Sequence, residues 1–286
     1  MKVIVPAFLL LMPFYCFSQR LHADLYAGVA NYQGDLQGKR FTFAGAKPGM
    51  GLGLSYDITN KFIIRGAASY LTIAGDDKNN SSGKGIEFRN LNFKTHILEA
   101  QLAMEFNFFD LAERSFTPFV FAGIAAFHFQ PYTFDNTGKK VFLRPLSTEG
   151  QGLPQYPDVK PYNTKQFAIP FGGGVKLALS ERLQVGIEIG FRKLFTDYLD
   201  DVSYNYVDSS ILLAAKGPTA VAFAYRGGEV GGPGYPADQS QRGNIQFKDW
   251  YYFTGLKISY VFGGNGGGGG NGSSKRSKVG CPMRVY

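Results

Sequence analysis

The sequence predicts an all-β protein, an eight-stranded antiparallel transmembrane β-barrel of the outer-membrane type, on three observations. Eight segments of about nine or more residues alternate apolar and polar side chains with period two, the links between them alternate short and long, and an export signal precedes them. Composition agrees. The chain has 37 Gly, 26 Phe and 17 Tyr against 3 His, and its charged fraction of 18% is below the usual quarter of a soluble domain.

The opening stretch MKVIVPAFLLLMPFYCFS sets Lys2 before an apolar run and a small residue, Ser18, so residues 1–18 are expected to be a signal peptide. Phe14 and Tyr15 are too bulky for a lipoprotein cut at Cys16, which leaves with the signal. Cys281 is then the only cysteine of the exported chain, so it is either free or paired with a partner thiol. Of the formal charge of +8, Lys2 and the four cations of the acid-free tail (Lys275, Arg276, Lys278, Arg284) account for five. The body is nearly balanced, which together with export argues against a nucleic-acid partner.

No later apolar run reaches the length of a membrane helix. The alternating segments are 21–31, 48–57, 62–73, 96–109, 118–129, 167–179, 183–195 and 250–262, each long enough for a tilted membrane strand. In the fourth, Leu98, Ala100, Leu102, Met104, Phe106 and Phe108 share one face and Glu99, Gln101, Glu105 and Asn107 the other. In the seventh, Leu183, Val185, Ile187, Ile189 and Phe191 oppose Gln184, Glu188 and Arg192. A soluble barrel would turn the apolar face inward, but about five bulky groups on each of eight strands exceed what so narrow an interior holds. The apolar face is therefore expected to meet outer-membrane lipid, with Arg65, Glu99, Glu105, Lys176, Glu188, Arg192 and Lys257 pointing inward as a charge-paired plug.

The gaps 32–47, 74–95, 130–166 and 196–249 are long and the other three short, the pattern of outer loops and periplasmic turns. Phe62, Tyr70, Phe106, Phe109, Phe119, Phe129, Tyr252, Tyr260 and Phe262 are expected at the membrane interfaces. Phe262 also resembles the terminal aromatic signal read by the barrel-assembly machinery. Pro170 cannot donate to a ladder, so the sixth strand is expected to pair only from Phe171. The barrel thus spans 19–262. The remainder, 263–286, reads as a glycine-rich, basic periplasmic tail ending in a Cys-Pro segment.

Candidate chemistry is sparse. Asp197, Asp200, Asp201 and Asp208 open the fourth outer loop without the DxDxDG order of a calcium loop, and read as a hydrogen-bonded loop base or a metal cage. Their tyrosines suit the membrane interface and their carboxylates the outer rim. Gly34 and Asp35 read as a turn, with Asp35 capping nearby amides. His22 and His96 stand at strand starts and His128 is expected on the polar face near the outer rim; none has a serine at matching spacing for catalysis. The glycine runs lack the strand-turn-helix setting of a phosphate cradle, and no cofactor is implied.

NYQGDL after the first strand, TDYLDDVS with a following YVD after the seventh, KDWYYFTGLKISY in the last, and a tail ending in CP together resemble a family of Bacteroidota outer-membrane barrels typified by PorG of the type IX secretion system. The resemblance implies a non-enzymatic component of the secretion and gliding machinery, associated with the periplasmic ring of the lipoprotein PorK and its partner PorN. It carries over to Asn31, Tyr32, Gly34, Asp35 and Leu36, to 196–203 with Asp197, Tyr198, Leu199, Asp200 and Asp201, and to Cys281 and Pro282, which with the nearby Lys275, Arg276 and Lys278 are the expected partner contact. The long glycine insert before the basic knot departs from the family pattern. Two other readings stand beside this one: a surface adhesin or receptor acting through its outer loops, and a lipid-modifying barrel enzyme.

Overall fold

A computed structural model describes residues 21–39, 41–79, 86–246 and 248–262. The expected signal peptide and the tail, with Lys275, Arg276, Lys278, Cys281 and Pro282, lie outside the described residues. Eight long strands form the wall: β1 (Leu21–Gln33), β2 (Lys47–Asp57), β3 (Phe62–Asp76), β4 (Asn92–Asn107), β5 (Phe116–Phe129), β8 (Lys165–Ala178), β9 (Leu183–Leu194) and β10 (Trp250–Phe262). Between β5 and β8 the hairpin β6 (Tyr132–Phe134) and β7 (Lys140–Phe142) extends outward from the edge of β4.

Every wall strand pairs antiparallel with its neighbours, and β1 closes on β10 with Leu21 opposite Phe262 and Gln33 opposite Trp250. The wall is therefore a closed eight-stranded barrel without a free edge, as a bilayer requires. The links 58–61, 108–115 and 179–182 share one end with Leu21 and Phe262, and the four long loops share the other.

Alternation predicted the two faces. Leu52, Leu98, Leu102, Ile124, Phe167 and Ile187 stand on the exposed outer face, where lipid rather than protein satisfies them. All seven charged residues expected inside are buried there, joined by Asp24. Arg65 reaches Glu188 at 2.9 Å and Glu105 at 3.2 Å, and its guanidinium lies 3.6 Å over the ring of Phe121. Lys176 also pairs with Glu105, while Lys257 lies 3.4 Å from Asp24 and 3.5 Å from Glu105. Higher up, Arg192 grips both oxygens of Glu99 at 2.9 and 3.1 Å, and Tyr251 donates to the same carboxylate at 2.5 Å. Asp24, Glu99, Glu105 and Glu188 thus offset Arg65, Lys176, Arg192 and Lys257, because an unpaired charge so deep would be very costly.

The fifth segment departs from expectation. Phe119, Phe121, Phe127 and Phe129 point inward and are buried, so Phe119 and Phe129 do not belong to the membrane interface. The reason lies on the facing strands: a Cβ at Gly172 or Gly190 would fall within about 3 Å of the Phe121 ring, and one at Gly174 would meet Phe119. These glycines leave the room that the two rings fill. Tyr252 also departs from the belt, being buried beneath Phe41 of the first loop, which stacks on it at 4.9 Å. Phe62, Tyr70, Tyr260 and Phe262 are exposed on the outer face as expected.

Pro170 does not delay the sixth wall strand. β8 begins at Lys165 and pairs through Pro170 with Arg192 of β9; the register with β5 is interrupted only between Ala122↔Phe171 and Ala125↔Ala168. A missing donor affects one side of a strand, and the other side carries the ladder.

Candidate functional site

Above the charged lumen the strand tops and long loops close into an apolar cap. Tyr32, Leu36, Leu71, Ile73, Leu91, Phe93, Ile97, Phe127, Phe129, Leu199 and Val202 are all buried in one cluster. Three of the four motifs noted in the sequence meet in this cap.

The first is NYQGDL. Asn31 turns its amide to the carbonyls of Thr42 and Ala44 and fastens the first loop against the wall. Tyr32 is fully buried with its ring edge-on to Phe93 at 4.9 Å, and its hydroxyl donates to Asp200. The same hydroxyl lies 3.3 Å from Asp249 and accepts the Leu36 amide at 3.4 Å. Gly34 opens the expected turn, closed by the Gln37 amide at 3.0 Å. A Cβ on Gly34 would sit about 2 Å from the Tyr32 hydroxyl and from Asp249, so glycine is needed for close approach. Asp35 caps an amide, but a distant one: its carboxylate accepts from Asn244 of the fourth loop at 2.9 Å.

The second motif is TDYLDDVS. Asp197 accepts from Ser203 Oγ at 2.8 Å, Asp200 accepts the Val202 amide at 2.9 Å, and Leu199 donates its amide to Asp249 at 2.8 Å. Asp201 takes a left-handed φ of 68° and accepts from Thr148 at 2.6 Å and Tyr162 at 2.7 Å. Tyr198 stacks on Tyr162 at 4.6 Å. Asp208 caps the short helix Ser209–Lys216. The carboxylates of Asp197, Asp200 and Asp201 are buried rather than displayed on the rim, and Tyr198 and Tyr206 pack inside the loop layer rather than at the membrane interface. Loop lengths of this size let the chain fold back over its own polar groups, which a strand-by-strand reading does not anticipate.

Asp249, just before the last strand, comes from the third motif, KDWYY. The residues that bind this arrangement from outside carried no sequence signal. Arg89 forms a two-pronged pair with Asp77 at 2.6 and 2.8 Å and donates to the Asp35 carbonyl at 3.0 Å. Arg242 reaches Glu149 at 2.8 Å and the Asp201 carbonyl at 2.7 Å, while Glu149 accepts the amides of Ser203 and Tyr204.

Burial pushes the Asp197 carboxyl up to about 7. Asp201 is raised by burial to about 6, with Arg242 beside it pulling the other way. Asp200 and Asp249 are pushed well up by burial and then by neighbouring carboxylates, Asp35 for the first and Asp200 for the second. The raised values favour the protonated forms and so lessen repulsion among these carboxyls, while their bonds to Tyr32, Leu199, Val202 and Ser203 hold the loops together. Among the described residues no cluster of three or more His, Cys, Asp or Glu could hold a metal ion. His128 is exposed on the outward face of β5, not on the polar face expected for it, because Phe127 and Phe129 occupy the inward positions on either side.

A closed, charge-filled eight-stranded barrel with apolar outer walls and one capped end defines an outer-membrane β-barrel protein. Residues 1–144, half of the chain, match the family described as Domain of unknown function (DUF6089), and the chain belongs to that family. No curated protein matches the sequence. Among solved structures, the attachment invasion locus protein Ail of Yersinia pestis, in complex with the heparin analogue sucrose octasulfate, is similar at 6% identity and a TM-score of 0.41, covering 86% of this chain and 100% of its own. A major outer membrane protein from Thermus thermophilus is similar at 13% identity and a TM-score of 0.40, with coverage of 86% and 100%. The outer membrane enzyme PagL is similar at 13% identity and a TM-score of 0.31, with coverage of 83% and 98%.

Proposed function

We propose that the protein is a non-enzymatic outer-membrane anchor that organises a periplasmic assembly, the ring of the type IX secretion and gliding machinery with PorK and PorN being the specific candidate. One observation carries this reading. β10 ends at Phe262 on the barrel end that bears the short turns, the end that this reading assigns to the periplasm. The paired charges inside the lumen and the cap above it support a stationary fixture better than a solute channel. The tail, with Cys281 and Pro282, is then the element offered to a periplasmic partner.

The test is removal of residues 263–286 in the native host, with the barrel's insertion checked by its unheated gel mobility. The reading expects normal insertion with loss of the periplasmic partner from affinity-purified barrel and loss of secretion. Full retention of both would overturn it.

A surface receptor or adhesin is the second reading, favoured by a cleft of about 370 Å³ between the third and fourth loops, lined by Tyr156, Asp158, Tyr204, Asn205 and Gln239 among others. Deleting the fourth loop while keeping the tail separates the two: attachment is lost under this reading and the periplasmic complex is lost under neither.

A further inference from the structure

We propose that the outer face of β3 and β4, together with the β6–β7 hairpin beside it, binds the phosphorylated headgroup of an outer-leaflet glycolipid. This inference rests on the membrane-barrel fold and is independent of what the tail does.

Depth places the site. A strand tilted by 35–45° climbs about 2.5 Å per residue along the membrane normal, so a hydrocarbon band of about 25 Å takes about ten residues. Phe106 of β4, packed at 5.0 Å on Phe62 near the short-turn end, marks one edge. Ten residues further up the strand is His96. Its ring lies parallel to that of Tyr70 at 5.5 Å, two aromatic groups at the level of the other edge. Lys94 and the hairpin therefore stand at headgroup height on the side of the long loops.

The patch is built rather than scattered. His96 bonds Thr72 Oγ1 at 3.1 Å through one ring nitrogen and the Tyr132 hydroxyl at 3.0 Å through the other, and Tyr132 also pairs with Lys94 in the ladder. These contacts fix the hairpin to the wall. Lys140 Nζ is held 3.6 Å over the Tyr132 ring and 4.9 Å from Phe142, and Lys94 Nζ lies 5.3 Å over Phe134. An aromatic face steadies an ammonium without neutralising it. The acids closest along the chain are engaged in their own turns, Asp76 with the Lys78 amide at 2.9 Å and Asp135 with the amides of Thr137 and Lys139 at 2.9 and 2.8 Å. Neither lysine has an ion-pair partner among the described residues.

Two preorganised, unneutralised cations at headgroup height, above aromatic and apolar groups that suit acyl chains, are complementary to a phosphate carried on a lipid. A phosphorylated glycolipid is the outer-leaflet molecule that presents such a phosphate on this side, and its sugars can lie over the exposed rings of Phe134 and Phe142.

The test uses the full chain folded in detergent and native mass spectrometry with three probes: lipid A, lipid A freed of its phosphates, and phosphatidylglycerol. Lipid A is expected to bind best, with the Lys94→Gln/Lys140→Gln double variant weakened roughly twentyfold towards lipid A alone and the Lys94→Arg/Lys140→Arg variant restored. Should the double variant lack the unheated mobility of a folded barrel, Lys140→Gln on the exposed hairpin is read instead, with a loss of about fivefold expected. Equal binding of the phosphate-free probe, or binding unaffected by loss of the lysines, would overturn the site. Phosphatidylglycerol binding as well as lipid A would overturn the glycolipid assignment.

Discussion

The hydroxyl of Tyr32, at the top of the first wall strand, donates to the carboxylate of Asp200 in the fourth loop, 168 residues further along the chain. Asp249 stands 3.3 Å from the same oxygen. One phenol thus ties together the first loop, the fourth loop and the start of the last strand.

Removing that oxygen is expected to loosen the cap while leaving the barrel closed. Tyr32→Phe takes the hydroxyl from Asp200, Asp249 and the Leu36 amide, leaving Asp200 only the Val202 amide and Asp249 only the Leu199 amide, at a cost of about 1.5–3 kcal/mol. Hydrogen exchange should rise in 196–204 and stay unchanged in the lower halves of the strands. Uniform exchange across the whole barrel would contradict the assignment.

Gly34→Ala tests the same junction sterically. The added methyl must displace Tyr32 or Asp249, so the variant should lose cap protection in the pattern of Tyr32→Phe. The double variant should cost less than the sum of the two singles, since both disrupt one contact.

The cap should weaken as pH rises. Burial lifts Asp197 from its ordinary 3.8 to about 7, so the folded state binds its proton more tightly than the unfolded state does. Its contribution is complete below about pH 4 and is lost as pH climbs through about 7, with Asp201 following the same direction to about 6. Hydrogen exchange of 196–204, corrected for its intrinsic pH dependence, should show stronger protection at pH 5 than at pH 8. Asp197→Asn should reduce the difference, leaving the part due to Asp201, and better protection at pH 8 in the wild type would refute this.

Inside the lumen, Glu105 faces Arg65, Lys176 and Lys257 and is completely buried. Glu105→Gln leaves three cations short of a counter-charge and is expected to cost about 3–5 kcal/mol of barrel stability in vesicles, measured by denaturant unfolding. A change below about 1 kcal/mol would mean that the ladder is not a paired unit.

His128→Ala should be silent, with stability within about 0.5 kcal/mol and envelope lipid profiles unchanged, because the side chain points away from the lumen. An altered lipid profile would revive the enzyme reading.

The wall was legible in the sequence because a strand between lipid and a packed lumen must alternate, and the loop lengths followed from the membrane's two sides. Phe119 was misplaced because its inward direction depends on the room left by Gly174 of the facing strand, as that of Phe121 depends on Gly172 and Gly190, a relation that no period within one segment encodes. The cap was legible only as separate motifs. Tyr32, Asp200 and Asp249 each stood in a quoted stretch, but their meeting depends on closure of the entire barrel, and Arg89 and Arg242 sit in loops with no repeat to mark them.

Anchoring through the tail is most directly tested by a non-reducing gel of native envelopes, comparing wild type with Cys281→Ser and identifying any shifted band by mass spectrometry. A reducible adduct with a periplasmic ring lipoprotein, absent in the variant, is the predicted result. No adduct, with the periplasmic complex and secretion intact in Cys281→Ser and after loss of 263–286, would contradict the anchoring account and move the function to the outer loops.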